Sequence, residues 1–191
     1  MSTGDRRALL VDTAIEVIAA RGLRALTHRA LDTELGLPAG SASYYFRTKR
    51  ALIEAIVERI TTRTRDDFAA AALTPTADRQ PVAEAIAAWL DRLLAQRRGH
   101  LIARHALLID LLDDPDLHPR LVRSLFSVDR ARDLFRAMGA PDPDIRAADF
   151  VAVIEGAVFD RFAGNRTALR PDTPESVQQL ARVLAAHLLR V

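Results

Sequence analysis

The chain has 191 residues, 49% hydrophobic and 27% charged, a composition that suits a folded globular protein and excludes disordered and fibrous classes. It has no cysteine, which excludes disulfides and thiolate chemistry, and charges interrupt every apolar run short of the roughly 18 residues a membrane span needs. The formal net charge of +2 is unevenly placed: residues 1–50 carry +3 and the rest −1, so the basic excess that favours a polyanionic partner lies at the N-terminal end.

The opening MSTGDRRALLVD holds only four consecutive apolar residues before Asp12, too few for a secretion signal. A cytoplasmic protein without membrane association is therefore expected. Apolar residues recur at helical spacing and no segment alternates as a strand does. The spacing predicts an all-α fold of about nine helices, at 5–21, 28–35, 39–45, 48–72, 81–98, 100–113, 115–138, 143–163 and 174–190. Asp114-Pro115, Asp142-Pro143 and Thr173-Pro174 read as starts, a capping side chain ahead of a proline at the first helical position. Gly22, Gly36, Gly99, Gly139 and Gly164 read as stops.

The first helix gathers Leu10, Ala14, Val17 and Ile18 on one face. Thr27 is placed to cap HRALDTEL, whose Ala30, Leu31 and Leu35 point inward. Pro38 drives Leu37 out of the helical region, so Gly36-Leu37-Pro38 makes a turn. Two short helices joined in this way form a helix-turn-helix. In the second, Ala42 and Phe46 face inward, while Gly40, Ser41, Ser43 and Tyr44 face outward and Tyr45 lies at the margin. Small, hydroxyl-bearing and aromatic groups suit the edges of bases in a major groove, and Arg29 adds a bidentate donor for guanine.

The run from Leu9 to about Ile60 resembles the N-terminal DNA-binding domain of TetR-family transcriptional regulators. The resemblance rests on Ala-Arg-Gly at 20–22, the Thr27/Arg29 pair, Gly36, and the pattern Gly40, Tyr44-Tyr45-Phe46, Lys49 followed by Leu52. It implies that Arg29, Gly40, Ser41 and Tyr44 face bases, and that Thr27, Tyr45 and Lys49 hold phosphates with His28 within reach of the DNA backbone. Thr27 can equally serve as a helix cap and Tyr45 as packing. Ser43 stands where the family often has tyrosine and Ala39 where it often has lysine, which leaves the operator open.

A Thr/Pro-rich break, TPTADRQP at 74–81, precedes longer helices. The expected division is a DNA-binding domain over 1–52, a connecting helix over 48–72, and an effector-binding and dimerisation domain over 53–191. No cofactor, metal or catalytic signature appears there: His100 and His105 are five apart, and no phosphate-binding glycine loop is present. Trp89, Leu93, Arg104, His105, Leu108, Phe126, Phe150 and Phe159 are candidate walls of a small-molecule pocket, the alternative being a filled core. Ile154, Gly156, Val158 and Phe162, with Val177, Leu180, Leu184 and Leu188, are candidates for a homodimer interface, a four-helix bundle with two helices from each subunit.

The resulting expectation is a dimeric, ligand-responsive repressor of a palindromic DNA operator, released by a small-molecule effector. A ligand-independent DNA-binding protein, or a helical small-molecule carrier or enzyme, stays open as an alternative.

Overall fold

The computed structural model describes residues 3–71 and 78–188, and those residues are helical without a strand. The order is α1 (Thr3–Arg21), a 3-10 turn (Leu23–Ala25), α2 (His28–Glu34), α3 (Ser41–Tyr45), α4 (Lys49–Ala70), α5 (Arg79–Gln96), α6 (Arg98–Asp110), α7 (Leu117–Val122), α8 (Val128–Ala137), α9 (Pro143–Ala163) and α10 (Pro174–Leu188). Part of the predicted break at 74–81 and the last two residues of the predicted final helix lie outside the described residues.

The chain forms two compact units, one of Met1–Thr64 with Gly99–Val122 and the other of Arg65–Arg98 with Arg123–Val191. Compactness thus groups 53–64 and the α6–α7 hairpin with the N-terminal module, whereas the sequence puts both beyond residue 52. In the first unit a continuous apolar core joins Leu10, Ile15 and Ile18 of α1 to Leu31 of α2, Phe46 after α3, Ile56 and Ile60 of α4, Leu107 of α6 and Leu121 of α7. Ion pairs stitch its surface: Arg59 to Asp12 at 2.7 Å, Arg21 to Glu34 at 2.5 Å, and Arg50 to Asp114 and Arg120 to Glu58 between α4 and the hairpin. Asp114 also accepts the Leu117 and Asp116 N–H groups, and these bonds, with Arg50, hold its carboxyl below the usual range.

The predicted helix at 115–138 is two helices. After α7 the chain turns so that Leu125 and Phe126 are both buried, and the carbonyls freed at the end of α7 are taken by Arg104. That buried guanidinium donates from Nε to the Leu121 carbonyl at 3.1 Å and from Nη2 to the Val122 carbonyl at 3.4 Å. Gly99 is not a stop but lies in the first turn of α6, close to the Glu16 carboxylate, which a Cβ at that position would push aside. Gly164 ends α9 without a left-handed conformation, whereas Gly22, Gly36 and Gly139 adopt one.

In the second unit Phe68, Trp89, Phe126, Phe150, Phe135 and His187 form a chain of ring contacts, mostly edge-to-face, with centroids 5.2 to 6.1 Å apart. Beside it a buried polar network joins three helices. Arg161 donates to the Leu169 carbonyl and to Ser176 Oγ, each at 2.7 Å, and Ser176 donates in turn to Asp91. Burial pushes the Arg161 guanidinium down, opposed by Asp91 and Asp160.

One set of predicted positions needs correction. Ile154, Val158, Leu180, Leu184 and Leu188 are almost wholly buried within the unit, so they cannot meet a partner; α10 spends its apolar stripe on α5 and α9. Val177 and Phe162 are half-buried, and Gly156 is exposed with open space beside it. The outward face of α9 carries instead Ile145, Ala148, Ala152, Gly156 and Phe159, three or four residues apart, with Ile145 65% and Phe159 47% exposed.

The proposed pocket walls are divided between the two units. Arg104, His105 and Leu108 belong to the first unit, where Arg104 is spent on carbonyls, His105 Nδ1 bonds the Leu101 carbonyl at 2.9 Å, and Leu108 packs against the core. Trp89, Leu93, Phe126 and Phe150 are buried in the second unit, and Phe159 is on its surface.

Candidate nucleic-acid interface

The helix-turn-helix is built by local rules. Thr27 is extended, and its Oγ1 accepts the Ala30 N–H at 3.0 Å, satisfying one of the free donors at the start of α2. At the other end Leu37 N–H bonds the Asp32 carbonyl at 2.8 Å and Gly36 N–H the Thr33 carbonyl at 3.2 Å. With Gly36 at φ +60° this is a Schellman stop, which needs a residue without a Cβ. The chain then enters α3 through Gly40, also left-handed at φ +90°.

Ala42 within α3 and Phe46 just after it are buried and anchor the helix, while Tyr44 is 77% exposed. Tyr45 is half-buried against the core, with its ring edge-on to Tyr44 at 5.2 Å, so packing is its observed role. The Ser41 hydroxyl donates to the Pro38 carbonyl at 2.6 Å and the Ser43 hydroxyl to the Gly40 carbonyl at 2.8 Å. Both hydrogens are spent, so the two oxygens are left as acceptors, of the kind that can receive the amino groups of adenine or cytosine.

Thr27, His28 and Lys49 line one cleft of about 240 Å³ with Arg24, Leu26 and Leu52. Lys49 opens α4, whose first turn is capped by Thr48 Oγ1 accepting the Ala51 N–H at 3.1 Å. His28 Nε2 is buried without a partner. Arg24, Arg29, Arg47 and Lys49 are exposed and enter no ion pair among the described residues, in contrast to Arg21, Arg50, Arg59 and Arg120 of the same unit. These four lie on or beside the two short helices, although Arg63 of α4 is also exposed and enters no ion pair among the described residues. Hydroxyl, imidazole and ammonium groups gathered in one cleft are of the chemical types that can hold a phosphate. Among the described residues no cluster of His, Asp and Glu is arranged to hold a metal.

Two residues of this site went unread in the sequence. Asp32, on α2 and only 4% exposed, accepts the Gly40 N–H at 2.8 Å and the Ala42 N–H at 2.7 Å. Arg7, on α1, donates to the Tyr45 carbonyl at 3.2 Å and lies over the Phe46 ring at 4.3 Å. A signal for the first was present: a helix that begins on glycine has no cap of its own and needs an acceptor from elsewhere.

Residues 10–56 match the family described as "Bacterial regulatory proteins, tetR family", and residues 77–190 match "Tetracyclin repressor-like, C-terminal domain". The chain belongs to the TetR family. TetR-family regulators are non-enzymatic DNA-binding proteins that respond to small molecules and act as dimers. Solved structures agree with this fold. The multidrug binding protein EbrR, complexed with imidazole, is 26% identical over 93% of this chain and 94% of that chain, with a TM-score of 0.61. A TetR-family member from Streptomyces coelicolor A3 is 23% identical over 94% and 98%, with a TM-score of 0.69. A TetR-family regulator from a Rhodococcus species is 19% identical over 96% and 99%, with a TM-score of 0.72. No curated protein matches the chain.

Within this TetR-family site the cleft and the reading face are expected to act differently. Lys49→Ala is expected to lower affinity evenly across sequences and to drop the slope of log affinity against log salt by about one, as loss of a phosphate contact would. Tyr44→Ala leaves the salt slope alone and relaxes sequence preference by about 1–3 kcal/mol at the positions it reads. Titrations of both variants over a range of salt check this, and the reverse pattern overturns the assignment.

Proposed function

We propose that the chain is a homodimeric repressor that binds a two-fold symmetric operator and is released by a small aromatic effector. The observation that carries the DNA part is the cleft where Arg24, Thr27, His28 and Lys49 converge, in the same unit as a helix that exposes Ser43 and Tyr44. The outward apolar stripe of α9 supports self-association, since water-exposed Ile145 and Phe159 gain from a second copy.

The effector reading is supported by a cleft of about 240 Å³ in the second unit, lined by Trp89, Arg92, Leu93 and Gln96 of α5 with Asp67, Ala70 and Ala71. Trp89 is buried and its indole N–H has no acceptor among the described residues. EbrR has been crystallised with ethidium and with proflavin. An effector that favours one dimer geometry shifts the spacing of the two reading helices away from the roughly 34 Å that separates successive major grooves.

Selecting bound duplexes from a random library tests operator binding, and a symmetric consensus is expected. Proflavin is then titrated while the emission of Trp89, the only tryptophan, is followed alongside release of the selected duplex. Release without quenching moves the effector site elsewhere. Quenching without release removes the switch.

A further inference from the structure

The reading helix cannot hold itself in place. At five residues α3 is far below the roughly 12–15 at which an isolated helix becomes even marginally stable. Its N-cap, Gly40, has no side chain to offer, and Ser41 and Ser43 spend their hydroxyl hydrogens on nearby carbonyls. Its first donors are taken by a carboxylate from α2 and its last carbonyl by a guanidinium from α1. The signs match the helix dipole, with an anion at the positive end and a cation at the negative end.

Asp32 is buried and carries the same sign as a phosphate, so it has no direct part in holding DNA. Because it occupies the Gly40 and Ala42 N–H groups, those donors are closed to phosphate. Phosphate then falls to the Thr27, His28 and Lys49 cleft, and α3 contributes side chains only.

We propose that Asp32 and Arg7 are positioning residues for sequence recognition: they clamp α3 at both ends, so that Ser41, Ser43 and Tyr44 stand at fixed places before DNA arrives. This rests on the reading that α3 faces bases. Loosening the clamp scatters the reading side chains but leaves the phosphate contacts, so the damage falls on specificity and not on charge-driven affinity.

The experiment compares wild type, Asp32→Ala, Asp32→Asn, Arg7→Met and, as a control for stability alone, the core variant Ile60→Val. Affinity is measured across salt for the tightest duplex that wild type selects from a random library and for a scrambled duplex of the same composition. The ratio of the two affinities is expected to fall about tenfold in Asp32→Ala, the cost of roughly one mismatched base pair, with an unchanged salt slope. Asp32→Asn, which keeps one acceptor oxygen, is expected to fall between Asp32→Ala and wild type, and Arg7→Met to show a smaller loss of the same kind.

An unchanged ratio in these variants overturns the clamp, as does an equal loss in Ile60→Val at matched melting temperature. If Asp32→Ala does not fold, Asp32→Asn and Arg7→Met decide by the same criteria. A wild-type protein that discriminates nothing overturns both this proposal and the base-facing reading of α3, whereas a discriminating wild type with unaffected variants overturns the clamp alone.

Discussion

Phe159→Arg is expected to turn a dimer into monomers and to weaken operator binding by about 100-fold or more. The side chain is 47% exposed on the outward face of α9, in line with Ala152 and Gly156, which offer little bulk to keep another helix away. In a two-fold interface one substitution appears twice, so the variant places two arginines in one apolar seam without a partner for either. The loss on DNA follows from bivalency: the second half-site is bound at a high effective concentration only while the protomers are linked, and that linkage is worth about 10²–10⁴ in affinity. Sedimentation of wild type and variant, beside binding to one-half-site and two-half-site duplexes, checks both parts. A variant that sediments as a dimer rules out this face. Replacing Leu184 instead should lower stability without such selectivity, because it lies inside the unit.

The largest effect on stability is expected at Phe150→Ala. The ring is fully buried, edge-on to Phe126 at 6.1 Å and to Phe135 at 5.7 Å, and stacked on His187 at 5.8 Å. Removing it takes away transfer energy, leaves a cavity and breaks three ring contacts, a cost of about 3–5 kcal/mol. Against a total of roughly 5–15 kcal/mol for a natural protein this is a large share. Denaturant unfolding followed by circular dichroism reads it, and Trp89 fluorescence reports on the same ring chain. A loss below about 1 kcal/mol would mean that the chain of rings packs loosely enough to close the gap.

The helix-turn-helix was legible because each of its parts is decided within a few residues. Thr27 caps its own helix, Gly36 takes the left-handed position its own stop demands, and Ala42 and Phe46 fall on one face by spacing alone. What lay hidden was whatever joins distant residues. Arg7 and the Tyr45 carbonyl are 38 positions apart, and nothing in the neighbourhood of either announces the other. The break between α7 and α8 was missed for the same reason, since the carbonyls that end α7 are satisfied by Arg104 from another helix.

The dimer face was misread from a different cause. From Phe150 to Phe162 α9 is apolar on nearly every side, so spacing cannot say which side meets its own unit and which meets water. The regular stripe of α10, which looked ready for a partner, is what a helix buried by its own neighbours also displays. The candidate pocket walls could not be sorted from sequence because aromatic and aliphatic residues on long helices look alike whether they wall a cleft or fill a core. Of the eight, Trp89 and Leu93 line the cleft described here, while Phe126 and Phe150 fill the core around the rings.

The ends of α3 are secured by residues outside it, and its anchors, Ala42 and Phe46, point away from the surface. Positions 41, 43 and 44 are therefore close to interchangeable parts. A library that varies only these three, with Asp32, Gly40, Phe46 and Arg7 kept, would re-address the protein to new operators without rebuilding the module that carries them.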